Sequence, residues 1–169
     1  MSAFLTGDTV TLHPAAEDDV EFFARAWNDH RLRTPLLLAE PTTHDEMRES
    51  LLEDEGARFV VRVDDGRVGA CSLFRVDERH GRGMVSYWIR PSYQGEGYAS
   101  DALDAVCEYA FRERRLHKLR AGLVASNDAS AGVLESVGFQ EEARLEDEFF
   151  YDGEYADERR YRLLENEYR

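Results

Sequence analysis

Six consecutive residues, Gln94-Gly95-Glu96-Gly97-Tyr98-Ala99, carry the plainest chemistry in this chain. Before them runs Met84-Val85-Ser86-Tyr87-Trp88-Ile89, a β-like stretch that is halted at Pro91. After them, Ser100 to Arg115 reads as an amphipathic helix. A strand, a glycine-rich turn and a helix together make an anion site. The glycines let backbone N–H groups converge, and the positive end of the helix dipole stands behind them. A nucleotide P-loop is excluded, because no Lys-Ser or Lys-Thr pair follows the glycines. The dinucleotide fingerprint also fails, since Ser100 stands where its third glycine belongs and no first-strand context exists.

Other reactive side chains point to less. Cys71 and Cys107 sit in apolar surroundings with no neighbouring histidine to activate them, so two buried free thiols are expected. His13, His30, His44, His80 and His117 lack metal-ligand spacing, and no metal site is expected.

The elements that must hold the glycine turn can be traced along the chain. Thr9 to His13 alternates as a first strand stopped at Pro14, and Glu17 to Asn28 is a helix with an acidic first turn. Leu32 to Pro41 is irregular and apolar. Thr43 and Glu46 form a capping box for a helix over Asp45 to Leu52. Ala57–Val63 and Arg67–Val76 are strands joined by a hairpin at Asp65-Gly66, and Glu78–Gly83 turns into Met84–Ile89. Beyond the long helix come a strand over Lys118–Val124 and a short helix over Ala129–Val137 with Gly138 as its C-cap. Phe139–Leu145 and Glu148–Tyr151 read as strand, Asp152-Gly153 turns, and Glu154–Leu164 returns. The expected fold is α/β: one domain over residues 1–169, with about seven strands and about four helices on the faces of a mixed sheet.

Composition narrows the partners. With 21 basic and 35 acidic residues, the formal net charge is −14. That excludes nucleic acid as the main ligand, because phosphate neutralisation needs basic surface. No run of 18 apolar residues spans a membrane, and Met1 to Leu5 has no basic region followed by an apolar core, so a cytoplasmic protein is expected. Lys118 is the single lysine, and every other basic residue is arginine. An acid-rich, lysine-poor chain suits a salt-in halophile; arginine-rich codon usage is the alternative.

The glycine turn resembles the acetyl-CoA loop of the GNAT acetyltransferases, Gln/Arg-x-x-Gly-x-Gly/Ala, with Gln94, Gly97 and Ala99 in its places. The order of elements is similar to the whole GNAT fold, a mostly antiparallel mixed sheet splayed at its centre. Three further segments resemble the RimJ/RimL-like branch, which acetylates ribosomal-protein N-termini. They are Val10 to Pro14 (with His13 in place of the usual arginine), Trp27-Asn28-Asp29, and Asn127-Asp128-Ala129-Ser130 followed by Val137-Gly138-Phe139.

The resemblance implies direct acetyl transfer from acetyl-CoA to an amine, with no metal. Gln94, Gly95, Glu96, Gly97, Tyr98, Ala99 and Ser100 would surround the CoA pyrophosphate. Trp88, Ile89 and Arg90 would line the pantetheine arm and offer an N–H to the thioester carbonyl, and Asn127 would touch the arm or a water. Asn127 is equally read as a helix N-cap. Ser130 is the implied acid for the departing thiolate, with Tyr87, Tyr98 and Tyr151 as alternatives. Glu148, or its neighbour Glu146, is the implied base acting through water. The implied acceptor is a protein N-terminal amine. A small-molecule amine (polyamine, aminoglycoside or amino acid) and a non-catalytic CoA-binding module are the competing functions. Monomer and homodimer both stay open.

The charge balance generates a test. Self-repulsion among the acidic residues should ease as salt is added. The unfolding midpoint should rise from dilute buffer through about 0.15 M KCl and on into the molar range, past the point where the Debye length falls to about 3 Å. A midpoint that stays flat across the series leaves codon usage as the account of the single lysine.

Overall fold

The computed structural model describes residues 2–53 and 56–168. Met1, the start of the N-terminal segment considered above, lies outside them. The chain runs β1 (Leu5–Thr6), β2 (Thr11–Pro14), α1 (Val20–Asn28), α2 (His30–Arg33), α3 (His44–Glu53), β3 (Ala57–Val63), β4 (Gly66–Asp77) and β5 (Arg82–Ile89). It continues with α4 (Tyr98–Arg112), β6 (Lys118–Val124), α5 (Asp128–Val137), β7 (Gln140–Tyr151) and β8 (Glu154–Leu164). The strands form one sheet in the order β1-β2-β3-β4-β5-β6-β8-β7. Every neighbouring pair is antiparallel except β5 and β6. A parallel pair needs a long crossover, and α4 supplies it.

The β5–β6 pairing stops early. Only Arg82, Gly83 and Met84 find partners, in Lys118, Leu119 and Arg120. Beyond Met84, β5 stays bonded to β4 out to Gly69↔Ile89, and β6 stays bonded to β8 out to Val124↔Glu158. The sheet therefore opens in its middle, as the GNAT resemblance implies.

Alternation along the strands feeds two cores. Phe59, Val61, Cys71, Leu73 and Val85 face Leu103, Val106, Cys107, Ala110 and Phe111 of α4. On the other face, Val60, Ala70 and Trp88 meet Val20, Phe23, Ala24 and Ala26 of α1 together with Leu32 and Met47. Trp88 is fixed there by three aromatic neighbours, Phe22, Phe23 and Trp27, at centroid distances of 5.2, 5.9 and 5.9 Å. Both cysteines are buried and unbridged. Burial pushes the Cys71 thiol up to about 12 and Cys107 in the same direction, so neither is a ready nucleophile.

Several boundaries move, for local reasons. Among the described residues there are eight strands and five α-helices rather than about seven and four. The additions are β1, two residues long, and α2, a single turn that overlaps the start of the stretch read as irregular. The β3–β4 hairpin turns at Asp64-Asp65, because Gly66 already pairs with Val63. The long helix begins at Tyr98, directly behind Gly97, and ends at Arg112; Arg115, at φ +57°, cannot continue it. The Thr43–Glu46 capping box is present, with Glu46 accepting from the Thr43 N–H at 2.8 Å and donating its own N–H to Thr43 Oγ1 at 3.2 Å. Lys118 is held by Glu142 at 2.6 Å.

One carboxylate ties the amino-terminal hairpin to α4. Asp101 accepts from the backbone N–H groups of Asp8, Thr9 and Val10 at 2.8, 2.7 and 3.0 Å, and from Thr9 Oγ1 at 2.8 Å. A Cβ on Gly7 would collide with it. Burial raises the Asp101 pKa, but these bonds outweigh that and hold it below the ordinary carboxylate value. A depressed carboxylate stabilises the fold above its unfolded pKa of about 3.9 and loses that contribution as pH falls through the folded value. Asp101→Asn should therefore cost about 1–2 kcal/mol at pH 7. The gap from wild type should shrink in paired thermal melts taken near pH 3.

Candidate active site

The opening between β5 and β6 is a cleft of about 640 Å³. It is floored by Val85 to Ile89 on one side and Ala121 to Leu123 on the other. Gly95, Gly97 and the first turn of α4 stand at one end, and Pro35, Leu36 and Leu37 at the other. It passes through the sheet, since α4 and α5 border it on one face and the segment after α2 on the opposite face.

Gly95 and Gly97 have φ of +84° and +82°, and nothing lies within 4 Å of a Cβ built on either. Their requirement is conformational rather than spatial. Gly97 occupies the N-cap of α4 in left-handed conformation without a side-chain cap. The first N–H with a partner back in the loop is that of Asp101, on the Gly97 carbonyl at 3.1 Å. The N–H groups of Tyr98, Ala99 and Ser100 are thus left at an open helix end that attracts an anion. Ser100 also takes a 2.9 Å hydrogen bond from Ser136 of α5, which locks the two helices together beside the loop.

Gln94 is turned inward. Its Nε2 donates to the Ile89 carbonyl at 2.9 Å, so it clips the loop to the end of β5. That bond also fixes which peptide groups face the cleft. The Arg90 N–H is spent on Val68 of β4 at 2.8 Å. In an antiparallel strand the N–H and C=O of one residue point to the same side, and successive residues alternate. The Ile89 carbonyl points away from β4, and its N–H points the same way. Of the trio Trp88, Ile89 and Arg90, Ile89 is therefore the one whose N–H is turned to the cleft.

Across the cleft, Asn127 caps α5 by accepting the Ser130 N–H at 3.1 Å. Ser130 Oγ lies 2.8 Å from the Tyr87 hydroxyl, which also donates to the Ser130 carbonyl at 2.9 Å. Burial raises the Tyr87 pKa well above the ordinary phenol value, and the bond to Ser130 only partly offsets it. Tyr87 is thus a neutral hydroxyl joined to Ser130 and exposed to the cleft floor.

The cleft gathers Trp88, Ile89, Gln94, Gly95, Gly97, Tyr98, Ala99, Ser100, Asn127 and Ser130. Arg90, Glu96 and Glu148 do not line it. The Arg90 guanidinium lies over Tyr93 at 5.4 Å, and its Nη1 donates to the Arg67 carbonyl. Glu96 points to solvent from the loop. Glu148 is exposed, because the β7–β8 register breaks between Leu145 and Phe149 and the Asp147 N–H turns to Asp157 at 3.0 Å. Among the described residues Arg31 is the one charged side chain in the lining, and no Asp or Glu lines it. Among the described residues no group of three or more His, Cys, Asp and Glu side chains could hold a metal.

The wall past α2 is held from a distance. Asn28 donates to the Ala24 and Thr42 carbonyls at 2.9 and 2.8 Å and accepts the Thr42 N–H at 3.1 Å. Asp29 caps α2 through the Arg31 N–H and grips the Arg31 guanidinium at 2.7 and 3.1 Å. The side-chain bond from Arg31, then the backbone one, takes the Asp29 carboxyl down to about 2. The Trp27-Asn28-Asp29 motif is therefore structural: it closes the base of the loop whose Pro35, Leu36 and Leu37 wall the cleft.

Two side chains escaped sequence reasoning or were left among alternatives. Tyr87 was one of three tyrosines, and only its pairing with Ser130 across 43 residues singles it out. Glu158 was not considered. It is 5% exposed on β8, where a regular strand pattern gives no sign of a buried carboxylate.

Comparison with known proteins supports the same assignment. Residues 9–140 match the acetyltransferase (GNAT) domain. A spermidine N(1)-acetyltransferase of Vibrio cholerae is 26% identical over 164 residues, covering 94% of this chain and 95% of that protein. Bacillus subtilis YdaF, provisionally named a ribosomal N-acetyltransferase, is 29% identical over 150 residues, 83% of this chain and 82% of its own. The crystal structure of a V. cholerae spermidine N-acetyltransferase with CoA and spermine superposes with a TM-score of 0.88 at 26% identity, covering 95% of this chain and 98% of that one. A ribosomal L7/L12 alpha-N-protein acetyltransferase bound to CoA shares the fold, with a TM-score of 0.85 at 18% identity. Fold, cleft and sequence agree that the chain belongs to the GNAT acetyltransferases and is an N-acetyltransferase that uses acetyl-CoA.

Proposed function

We propose that this enzyme acetylates a protein N-terminal amine, in the manner of the RimJ/RimL-like branch. The observation that carries the reading is the lining of the acceptor end. Leu32, Pro35, Leu36, Leu37 and Trp88 are apolar, Arg31 is cationic, and no carboxylate lines the cleft of a chain with 35 acidic residues. A peptide end brings one positive charge followed by uncharged backbone, and it suits such a wall. A polyamine carries several positive charges and gains most from several carboxylates. The likeness to YdaF supports the same choice. The second reading, a polyamine acceptor, is favoured by the V. cholerae spermidine enzyme, matched over nearly its whole length.

In this reading the CoA pyrophosphate sits on the N–H groups from Gly95 to Ser100, and the pantetheine arm lies along Val85–Ile89 as an added strand. Asn127 flanks the arm from the end of α5. The Ile89 N–H binds the oxyanion that forms when the amine attacks, a contact worth about 3 kcal/mol. The amine sheds its first proton before attack. An N-terminal amine, with a pKa of about 8, needs modest help at this step. The C–N bond forms, the C–S bond breaks, and the amine's second proton ends on the sulfur. Ser130, hydrogen-bonded to Tyr87, stabilises the thiolate until that proton arrives. Glu148, exposed near the hairpin, acts at most through solvent. Bringing both substrates into one cleft supplies much of the acceleration.

Release of CoA thiol should be measured with free and N-blocked peptides, spermidine and an aminoglycoside. Free peptides should be turned over with a higher kcat/KM than spermidine, and blocked ones not at all. Preference for spermidine would move the assignment to the polyamine reading, and no turnover with any amine would leave a CoA-binding module.

The hydroxyl pair gives a second test. Ser130→Ala and Tyr87→Phe should each lower kcat roughly 10-fold or more while the affinity for CoA holds. The double variant should lose little beyond the worse single one, because the two groups act as a unit. A fall in melting temperature with kcat unchanged would make Ser130 a helix residue only.

A further inference from the structure

We propose that Glu158, which stands over Gly122 at the margin of the cleft and outside its lining, binds the acceptor amine. This rests on the acetyl-transfer reading of the cleft. Gly122 and Val124 on β6 stand opposite Arg160 and Glu158 on β8, and residues directly opposite share a face. Leu119, Ala121 and Leu123 of β6 and Tyr161 and Leu163 of β8 pack into the core beneath α4 and α5. Glu158 is therefore on the other face, where Trp88 meets α1. The cofactor loop belongs to α4, so this is the face open to the second substrate.

The Glu158 carboxylate does not stay over its own strand. It lies diagonally across β6, and a Cβ on Gly122 would collide with its Oε1. Gly122 is exposed and lines the cleft. Glycine at this one position thus lets a carboxylate from the neighbouring strand reach the margin of the opening. On the β5 side of Gly122 there is no strand, because the β5–β6 ladder has ended two residues earlier at Arg120. The carboxylate is buried and held by Arg160, with Nη2 at 2.9 Å and Nε at 3.4 Å. That fork aims it while leaving lone pairs for another donor. A single anion held in one place beside an apolar wall suits a single ammonium group. It would receive the incoming amine by an N–H bond and orient its nitrogen toward the thioester.

The test needs no knowledge of the natural acceptor. S-(2-aminoethyl)-CoA carries an ammonium beyond the sulfur, and S-propyl-CoA carries a methyl group in its place. In the wild-type enzyme the amino analogue should bind roughly 10-fold more tightly. Glu158→Gln should bring the ratio near one while S-propyl-CoA binds as before. Glu158→Asp keeps the charge beside Arg160 but withdraws it by one methylene, and it should also lower the ratio should the glutamine variant fold poorly. A structural ion pair would instead cost melting temperature and leave the ratio alone. An equal affinity of wild type for the two analogues, or a ratio unchanged in both variants, overturns the assignment. Failure of either analogue to bind wild type would overturn the cofactor cleft itself, and the inference with it.

Discussion

The β5–β6 ladder is three residue pairs long, and the working part of the molecule follows from where it stops. A sheet that parts in the middle leaves N–H and C=O groups facing inward without strand partners. Unpaired backbone of this kind is costly wherever water is excluded. The cost persists because each strand is committed elsewhere. The tip of β5 is bonded to β4 and its Trp88 is wedged among Phe22, Phe23 and Trp27; β6 is bonded along its length to β8. An extended ligand with amide groups of its own can satisfy the gap, which a compact ligand cannot.

Charge is distributed to the same end. The surface is strongly acidic, yet the cleft that takes an anionic cofactor has no carboxylate in its lining. Three acids close to it are engaged: Asp29 by Arg31, Glu158 by Arg160 and Asp101 by four donors from the first hairpin. Asp101 sits in the first turn of α4, whose open N-terminal end attracts an anion. Its charge is taken up by backbone N–H groups of another segment, so that it competes less with the ligand for the helix end.

Local sequence carried the parts that local physics determines. Gly95 and Gly97 need positive φ, Thr43 and Glu46 cap one another, and Gly138 closes α5 at φ +112°. These features depend on near neighbours, so they were readable. The two-residue strand β1 and the single turn α2 are too short to show a period. Which of Trp88, Ile89 and Arg90 offers its N–H depends on the partner of β5, since Arg90 is spent on Val68. The choice of Glu148 failed to reach the cleft because the β7 register slips at Leu145, and strand parity cannot be counted through a bulge. Glu158 was invisible for the opposite reason. Its strand is regular, and its burial comes from the absence of a side chain at Gly122, 36 positions earlier.

The single lysine has a consequence for a catalyst that concentrates an acylating reagent. Thioesters modify exposed neutral amines without help, and an enzyme that stores one risks labelling itself. Here the only side-chain amine is Lys118, and it is partly shielded and ion-paired with Glu142 at 2.6 Å, with Arg120 beside the same carboxylate. Arginine everywhere else offers no nucleophile at neutral pH. The protein thus offers its own donor a single side-chain amine, so that acetyl groups found on any other side-chain nitrogen in a reaction mixture report the acceptor rather than the enzyme.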